Sequence, residues 1–295
     1  MIAVKLMGGL GNQMFQYAAA RALALEKKTW VYLDPSFLYE DSKGQWTQRE
    51  YELDVFKIQY KYERSGRIRF LRSLNTNRYR RKLSDSSLWI FPYRNFYEPD
   101  SCFHPEIFTY PKNTYLHGYF QSEKYFMAHA AQIRKDFEFL VPAKERNAEV
   151  LEQVHNSFSI SLHVRRGDYV TLASASEHHE LMGLDYYTAA VNHILDGKKE
   201  VPRFFIFSDD PAWVKENLKV PGEATYVDWN TGKNSFEDMR LMSNCKHHVI
   251  ANSSFSWWGA WLNPGKEKIV IAPKAWFKEP GKSTDDIIPA SWIRM

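Results

Sequence analysis

Two adjacent arginines, Arg165 and Arg166, offer the most specific chemistry in the sequence. They follow the largely apolar run 158–164, which is predicted to be a buried strand, and Asp168 comes just after them. Ligands of open α/β sheets collect at the carboxyl ends of strands, and guanidinium groups held there bind phosphate through paired hydrogen bonds. The alternative is a pair of surface arginines in exposed ion pairs, which contribute little to stability. The segment by itself favours an anion site.

A glycine-rich turn at 8–11 is followed by two amide side chains, Asn12 and Gln13. A P-loop would need a Lys-Ser/Thr pair after the last glycine, and a dinucleotide fingerprint starting at Gly9 would need glycine or alanine in place of Met14. Both nucleotide motifs are therefore excluded. Amide groups donate and accept hydrogen bonds, which suits sugar hydroxyls. The turn is either a sugar-binding element or purely structural.

The stretch 252–256 is a third cluster of small polar residues, between a predicted strand at 247–251 and a predicted helix at 256–263. Serine and asparagine at this place are expected to cap the helix. The free backbone N–H groups of a helix N-terminus also bind phosphate. Capping and binding are compatible, so both interpretations stay open. Within the helix, Trp257-Trp258 is predicted to pack in the core rather than to bind sugar.

Asp209 and Asp210 end another predicted strand and invite interpretation as metal ligands. The adjacent pair lacks the intervening residue that is common in metal-diphosphate sites, and carboxylates at a helix start are favoured by the helix dipole. Helix capping is therefore the better interpretation. Adjacent histidines on a strand point apart, which argues against metal sites at His178-His179 and His247-His248.

The elements that must position these residues alternate between strands and helices, which predicts βαβ units and parallel sheets. In the N-terminal half, strands are predicted at 2–6, 30–34 and 115–120, with helices at 12–27 and 121–137. In the C-terminal half, strands are predicted at 158–164, 203–208, 224–228, 247–251 and 268–272, and helices at 185–196, 211–219, 235–245 and 256–263.

The length of 295 residues predicts two domains of roughly 150 residues. The polar, helical stretch 142–156 is the predicted crossing, so the domains are expected at 1–150 and 151–295. A net charge of +4 is too small for a dedicated nucleic-acid binder. Two cysteines, no visible signal peptide and no run of ~20 apolar residues predict a cytoplasmic protein.

The segment 61–82 carries nine lysine or arginine residues against one acidic residue, Glu63. A solvated helix face or a surface arm is one interpretation. The other is an element attracted by phosphates of an acceptor or by anionic lipids, which predicts peripheral contact with the inner face of the membrane. Nucleic-acid binding through this segment is a third hypothesis, and it predicts a steep salt dependence.

Four motifs carry a family resemblance: GGLGNQMFQYA (8–18), HVRRGDY (163–169), FSDDPAW (207–213) and FEDMRLMSNCKHHVIANSSFSWWGAWLN (236–263). Together they resemble the bacterial α-1,2-fucosyltransferases of glycosyltransferase family 11. They frame nearly the whole chain in the expected order, whereas residues 40–110 carry no recognised motif. HVRRGD alone is shared with α-1,6- and protein O-fucosyltransferases.

The resemblance implies a GT-B-like α/β fold, with two Rossmann-type lobes whose parallel sheets face a central cleft. The lobe at 1–150 is then the acceptor side and the lobe at 151–295 binds GDP-fucose. The implied reaction is an inverting transfer of L-fucose from GDP-β-L-fucose to the 2-hydroxyl of a terminal β-galactoside, in O-antigen or other surface glycans. No metal or other cofactor is required.

The resemblance also implies roles for individual residues. One or both of Arg165 and Arg166 grip the β-phosphate and stabilise the charge that develops as GDP departs. Asp238 reads guanine, and Asn12 lies with the arginines at the catalytic centre. Further residues implied to contact the donor are Gly11, Gln13, His163, Asp209, Ser253, Ser254, Phe255 and Ser256.

The catalytic base is not assigned by the resemblance. The α-1,6 relatives have a glutamate ten residues beyond the motif histidine, where this chain has Ala173. Asp168 is the nearest carboxylate and acts as the base or, by preference, as an organiser of the arginines; a dissociative path would need little base help. A fucosyltransferase of another linkage and a non-catalytic sugar- or nucleotide-binding module stay open as alternatives.

Overall fold

The computed structural model describes residues 1–42, 47–61, 66, 68, 94–166, 182–277 and 283–295. It contains two compact units. The N-terminal unit comprises Met1–Leu140 and Asp285–Ile287, and the C-terminal unit comprises Val141–Thr284 and Ile288–Met295. Asp168, His178-His179 and nearly all of segment 61–82 lie outside the described residues.

The N-terminal unit is built on a parallel four-stranded sheet in the order β2-β1-β4-β3. Its strands are β1 (Ile2–Lys5), β2 (Val31–Asp34), β3 (Arg94–Tyr97) and β4 (Thr114–His117). The strands predicted at 2–6 and 30–34 are confirmed. The strand predicted at 115–120 ends earlier, because Gly118 begins a turn whose Phe120 has a left-handed φ of +52°.

Helix α1 (Leu10–Glu26) follows β1 through the glycine turn and is buried over most of its length. It begins two residues before the predicted start, with Gly9 as its N-cap. Gly8 has a φ of +73°, and a Cβ placed on it would lie 2.5 Å from Nδ2 of Asn12. Glycine is therefore required here both for the backbone conformation and for the close approach of Asn12.

A buried ionic cluster joins α1 to helix α2 (Ala130–Asp136). The carboxylate of Asp136 accepts hydrogen bonds from Tyr17 Oη at 2.7 Å and from Arg21 Nε at 2.8 Å. The helix predicted at 121–137 is wrong in its first half, which consists of two short 3-10 turns. The chain breaks at Phe126, whose φ of −137° lies outside the helical range.

The described part of the C-terminal unit contains a parallel sheet of six strands in the order β10-β9-β8-β5-β6-β7. The strands are β5 (Phe158–Val164), β6 (Pro202–Ser208), β7 (Glu223–Val227), β8 (His247–Val249), β9 (Val270–Ala272) and β10 (Ile293–Arg294). All seven residues of the central strand β5 are buried.

Helices alternate with these strands as predicted. They are α3 (Glu145–His155), α4 (Leu184–Leu195), α5 (Pro211–Asn217), α6 (Phe236–Asn244) and α7 (Ser254–Leu262). Trp257 and Trp258 are fully buried, which confirms them as core residues. The predicted α/β class with parallel sheets is thus confirmed in both units. Among the described helices, none is long and apolar enough to cross a bilayer.

Candidate functional site

Three neighbouring strands of the C-terminal unit end at the same edge of its sheet. Because β8, β5 and β6 are adjacent and parallel, the residues that follow them lie side by side. Arg165-Arg166 follows β5, Asp209-Asp210 follows β6, and the start of α7 follows β8. The structure therefore brings together three of the polar clusters that the sequence singles out.

Asp209 organises the first arginine. Its Oδ2 lies 3.1 Å from Nη1 of Arg165, and its Oδ1 accepts the backbone N–H of Arg166 at 2.8 Å. About a quarter of the Arg165 side chain is exposed. Asp209 from the neighbouring strand thus pairs with Arg165, and the ion-pairing role predicted for Asp168 falls outside the described residues.

Arg166 is held by an aromatic ring and a second acid. Its guanidinium carbon lies 3.6 Å from the centroid of the Trp213 ring, a cation–π geometry. Its Nε lies 3.6 Å from Oδ2 of Asp210. Asp210 Oδ1 in turn accepts the backbone N–H of Trp213 at 3.2 Å and caps α5, which confirms the capping interpretation. Sequence reasoning missed the contact with Trp213, whose only signal is an aromatic residue three positions after the capping acid.

His163 adds a buried neutral donor and acceptor beside the arginines. The side chain is 6% exposed, and its ring centroid lies 6.2 Å from that of Phe255 on α7. Burial, together with the charge of Arg165, lowers the pKa of His163 to about 4. Among the described residues, the buried Nδ1 has no hydrogen-bond partner. A buried polar atom of this kind usually points to a ligand or an ordered water.

Among the described residues, the N-cap side chain of α7 forms no capping bond. Ser253 occupies the N-cap position but makes no side-chain cap bond, and Ser256 Oγ bonds to the carbonyl of Ser253 at 3.3 Å instead. The first backbone N–H groups of a helix have no carbonyl of that helix to bond to. Ser254 and Phe255 are half-buried in this first turn. The serine cluster therefore presents N–H groups and the positive end of the helix dipole.

Asp238 lies in a second polar cluster, in the first turn of α6. Its Oδ1 accepts a hydrogen bond of 2.8 Å from Asn230, which follows β7. Asn230 and Asn147 exchange amide hydrogen bonds of 2.8 and 3.0 Å. Asn147 also accepts from Trp229 Nε1 at 2.9 Å. Burial, with a contribution from Glu237, raises the pKa of Asp238 to about 7.

Sequence reasoning missed the partners of Asp238. Trp229 is covered on one face by Arg146, whose guanidinium carbon lies 3.5 Å from the ring centroid. Arg146 and Asn147 come from α3, far from Asp238 in the sequence. The only available signal is a Trp-Asn pair directly after a predicted strand.

Gly11, Asn12 and Gln13 belong to the N-terminal unit. Gln13 is fully buried, and its amide donates to the carbonyls of Gly8 and Glu50 and accepts from the N–H of Glu52. These bonds occupy the side chain in holding the glycine turn. Asn12 is half-buried and accepts a hydrogen bond of 2.8 Å from Gln121.

Among the residues that the structure describes, no three His, Cys, Asp or Glu side chains cluster as metal ligands would. His248 is fully buried, and its ring nitrogens bond to Ser161 and Asn263 at 2.8 and 2.9 Å. Asp209 and Asp210 contact Arg165 and Arg166, and Asp210 also caps α5.

The chain is similar to glycosyltransferases over its full length. The sequence profile of glycosyl transferase family 11 matches residues 70–295. The O-antigen biosynthesis glycosyltransferase WbnK of Escherichia coli is 34% identical over 98% of this chain and 99% of its own length. An α-1,2-colitosyltransferase of Escherichia coli is 31% identical over 100% of this chain and 98% of its own length.

Solved structures share the fold. A variant of Arabidopsis thaliana FUT1 in complex with GDP has a TM-score of 0.56 at 10% identity, over 98% of this chain and 74% of that one. The α-1,6-fucosyltransferase NodZ soaked with GDP-fucose has a TM-score of 0.50 at 14% identity, over 89% of this chain and 92% of that one. The predicted GT-B-like fold class is confirmed by these likenesses. The match to the family profile, which covers more than half of the chain, shows that the chain belongs to glycosyl transferase family 11.

Proposed function

We propose that this glycosyltransferase transfers L-fucose from GDP-β-L-fucose to the 2-hydroxyl of a terminal β-galactoside, with inversion at the anomeric carbon. The observation that carries the proposal is the pair Arg165-Arg166, fixed at a strand end by Asp209 and Asp210 beside the N-terminus of α7. Two guanidinium groups next to free helix N–H groups suit a diphosphate leaving group. The O-antigen relative supports a role in surface glycans.

The C-terminal unit is proposed to bind the donor. Arg165 and Arg166 donate hydrogen bonds to the β-phosphate, and the first N–H groups of α7, at Ser254 and Phe255, donate to the diphosphate. As the bond between the anomeric carbon and the phosphate oxygen breaks, negative charge accumulates on GDP and the arginines stabilise it. The acceptor oxygen forms its bond from the opposite face, which inverts the anomeric configuration.

Asp238 is proposed to read the guanine base. Its Oδ1 is engaged by Asn230, and the carboxylate retains acceptor capacity for the N1–H and N2–H₂ donors of guanine. Only the ionised carboxylate of Asp238 accepts hydrogen bonds from both of these guanine donors. Asn147 and Trp229 hold Asn230 in place and so act as positioning residues.

Asp168 is proposed as the base that takes the proton of the acceptor hydroxyl. Its position two residues after Arg166 supports this choice, because no other carboxylate lies nearer to the arginines in the sequence. The proton passes to the carboxylate as the oxygen–carbon bond forms. Replacing Asp168 by Asn is then expected to lower kcat with little effect on the affinity for GDP. A dissociative path predicts only a small decrease in the kcat of this variant.

Colitose is the second candidate for the transferred sugar, favoured by the similarity to an α-1,2-colitosyltransferase over the whole chain. Colitose lacks the 3-hydroxyl of fucose, so the two donors differ by one polar group. Competition between GDP-fucose and GDP-colitose decides between them. A higher kcat/KM for GDP-colitose would contradict the proposed donor.

The test of the proposed function is transfer by the purified protein. GDP release is measured with GDP-fucose and a panel of β-galactosides, and the product linkage is determined by NMR. An α-1,2-linked product is expected. Absence of GDP binding and of turnover with every galactoside would contradict the proposal, and binding without turnover would favour a non-catalytic module.

We propose a cytoplasmic location for the activity, supported by the low cysteine content of the chain. Contact with the inner face of the membrane through segment 61–82 stays a prediction, because the structure describes only Lys61, Gly66 and Ile68 of that segment.

A further inference from the structure

The turn Gly118–Gln121, which follows β4 in the N-terminal unit, has a strained backbone. Phe120 has a φ of +52°, in the left-handed region that bulky residues rarely adopt. Its ring is fully buried, with centroids 6.1 Å from Phe96 and 5.4 Å from Tyr125. Strain of this kind persists where the surrounding structure enforces it, commonly at binding sites.

Glu98 enforces this turn. It follows β3, the neighbour of β4, and its carboxylate accepts the backbone N–H groups of Tyr119 at 2.6 Å and Phe120 at 2.9 Å. Tyr125 Oη adds a longer bond of 3.4 Å. A Cβ on Gly118 would lie 2.4 Å from the Cβ of Glu98, so glycine is required for this close approach. Glu98 is therefore a positioning residue for the turn.

The turn presents an amide pair at its end. Gln121 Nε2 donates to Asn12 Oδ1 at 2.8 Å, in the first turn of α1. Among the described residues, Asn12 Nδ2 and Gln121 Oε1 have no hydrogen-bond partner. A donor group and an acceptor group thus lie next to each other, an arrangement that matches two adjacent hydroxyls of a sugar ring.

Tyr119 supplies an aromatic ring on the same turn. Its side chain is 45% exposed, although the neighbouring Phe120 is fully buried. An exposed aromatic ring offers an apolar face to the C–H groups of a pyranose, and its hydroxyl offers a polar end. The carbonyl of Gly118 accepts a hydrogen bond of 3.3 Å from Gln16 of α1, which anchors the other end of the turn.

We propose that Tyr119, Gln121 and Asn12 form a subsite for a neutral pyranoside with adjacent hydroxyls, the acceptor galactoside of the reaction proposed above, and that Glu98 positions this subsite. The inference rests on the proposed function for the identity of its ligand. It assigns roles to Glu98, Tyr119 and Gln121, which neither the motifs nor the relatives assign.

The test compares Tyr119→Ala, Gln121→Ala and Glu98→Gln with the wild type. The control is Tyr39→Ala, which removes a tyrosine that is 73% exposed in the same unit. Steady-state kinetics with lactose and GDP-fucose are expected to show a rise of about tenfold in the KM for lactose, equivalent to one weakened polar or stacking contact. The KM for GDP-fucose is expected to stay within about twofold. An unchanged KM for lactose in Tyr119→Ala and Gln121→Ala would overturn the proposal.

Saturation-transfer NMR of lactose in the absence of GDP-fucose distinguishes a failure of the subsite from a failure of the proposed function. If the wild type binds lactose and both alanine variants lose the signal, the subsite stands even where GDP-fucose is not a substrate. If the wild type transfers fucose while lactose contacts are the same in all variants, the subsite fails and the proposed function stands. No lactose signal with the wild type also overturns the subsite. If Glu98→Gln does not fold, Tyr119→Ala and Gln121→Ala alone test the proposal.

Discussion

The carboxylate of Asp209 binds the side chain of Arg165 and the backbone of the residue after it. Oδ2 lies 3.1 Å from Arg165 Nη1, and Oδ1 accepts the N–H of Arg166 at 2.8 Å. One side chain from the end of β6 thereby sets the direction of a guanidinium at the end of β5. Charge that is fixed before the substrate arrives costs no reorganisation during the reaction.

Replacing Asp209 by Asn is expected to lower kcat by about 10- to 100-fold, because a small displacement of a catalytic group costs that much. Asparagine preserves the size of the side chain and removes the ion pair with Arg165. The control is Asp228→Asn, which removes the exposed acid that pairs with Lys215 at 2.5 Å. The kcat of both variants is measured from GDP release with GDP-fucose and a galactoside. Activity of Asp209→Asn within twofold of the wild type would contradict the role of Asp209.

Arg166→Lys is expected to lose about 10²- to 10³-fold in kcat while the protein stays folded. A lysine ammonium reproduces neither the paired donors of the guanidinium nor its planar stacking on Trp213. The matched control is Arg203→Lys at the opposite edge of the sheet, where Arg203 pairs with Glu223 at 2.8 Å. Near-normal turnover by Arg166→Lys would contradict the proposed role of the Arg166 guanidinium in binding the β-phosphate.

Trp213→Phe tests the stacking of Arg166 on the Trp213 ring without changing the charge of Arg166. The smaller ring keeps an aromatic face for Arg166, so we expect a loss smaller than that of Arg166→Lys. The variant and the wild type are compared by kcat with GDP-fucose and a galactoside. A loss as large as that of Arg166→Lys would mean that Trp213 does more than stack.

The strands that carry the site could be predicted because each is an apolar run that ends in polar residues. The prediction of β5 at 158–164 is confirmed residue for residue. Strand β3, with the sequence RNFY, has no such pattern and depends on pairing with β4, so no local signal identifies it. The left-handed Phe120 is likewise imposed by Glu98 and by burial of its ring.

The elements that carry the candidate site residues could be predicted, but the contacts between those residues could not. Arg165 meets Asp209 because β5 and β6 are neighbours, and strand order is not readable from one sequence. Asp238 is held by Asn230 and Asn147, which come from separate elements. The sequence gives no sign of partners for the amide of Gln13. In the structure its Nε2 donates a hydrogen bond and its Oε1 accepts one.

Binding of GDP is expected to weaken below pH 7. Burial raises the pKa of Asp238 to about 7 in the free protein, and guanine requires the ionised carboxylate. Lowering the pH protonates Asp238, so the affinity for GDP falls by roughly tenfold for each pH unit below 7. His163 does not add to this dependence between pH 5.5 and 8, because its pKa is about 4.

Isothermal titration with GDP from pH 5.5 to 8 measures this dependence. UDP is the ligand control, because its phosphates titrate like those of GDP and its base lacks the guanine edge. Asp238→Asn is the protein control and is expected to bind GDP weakly at every pH. A pH profile of GDP binding that matches that of UDP would contradict the guanine-reading role of Asp238.

Asp136→Asn is expected to destabilise the N-terminal unit by about 3 kcal/mol. The carboxylate of Asp136 is 1% exposed and pairs with Arg21 at 2.8 Å, so its removal leaves a buried guanidinium without its counter-charge. Hydrogen exchange of the α1 amides reports on this unit separately, and their protection is expected to fall. The control Glu138→Gln breaks the exposed pair with Lys57 and is expected to leave that protection unchanged, because exposed ion pairs contribute little. Equal protection of α1 in both variants would show that the buried pair does not hold α1 to α2.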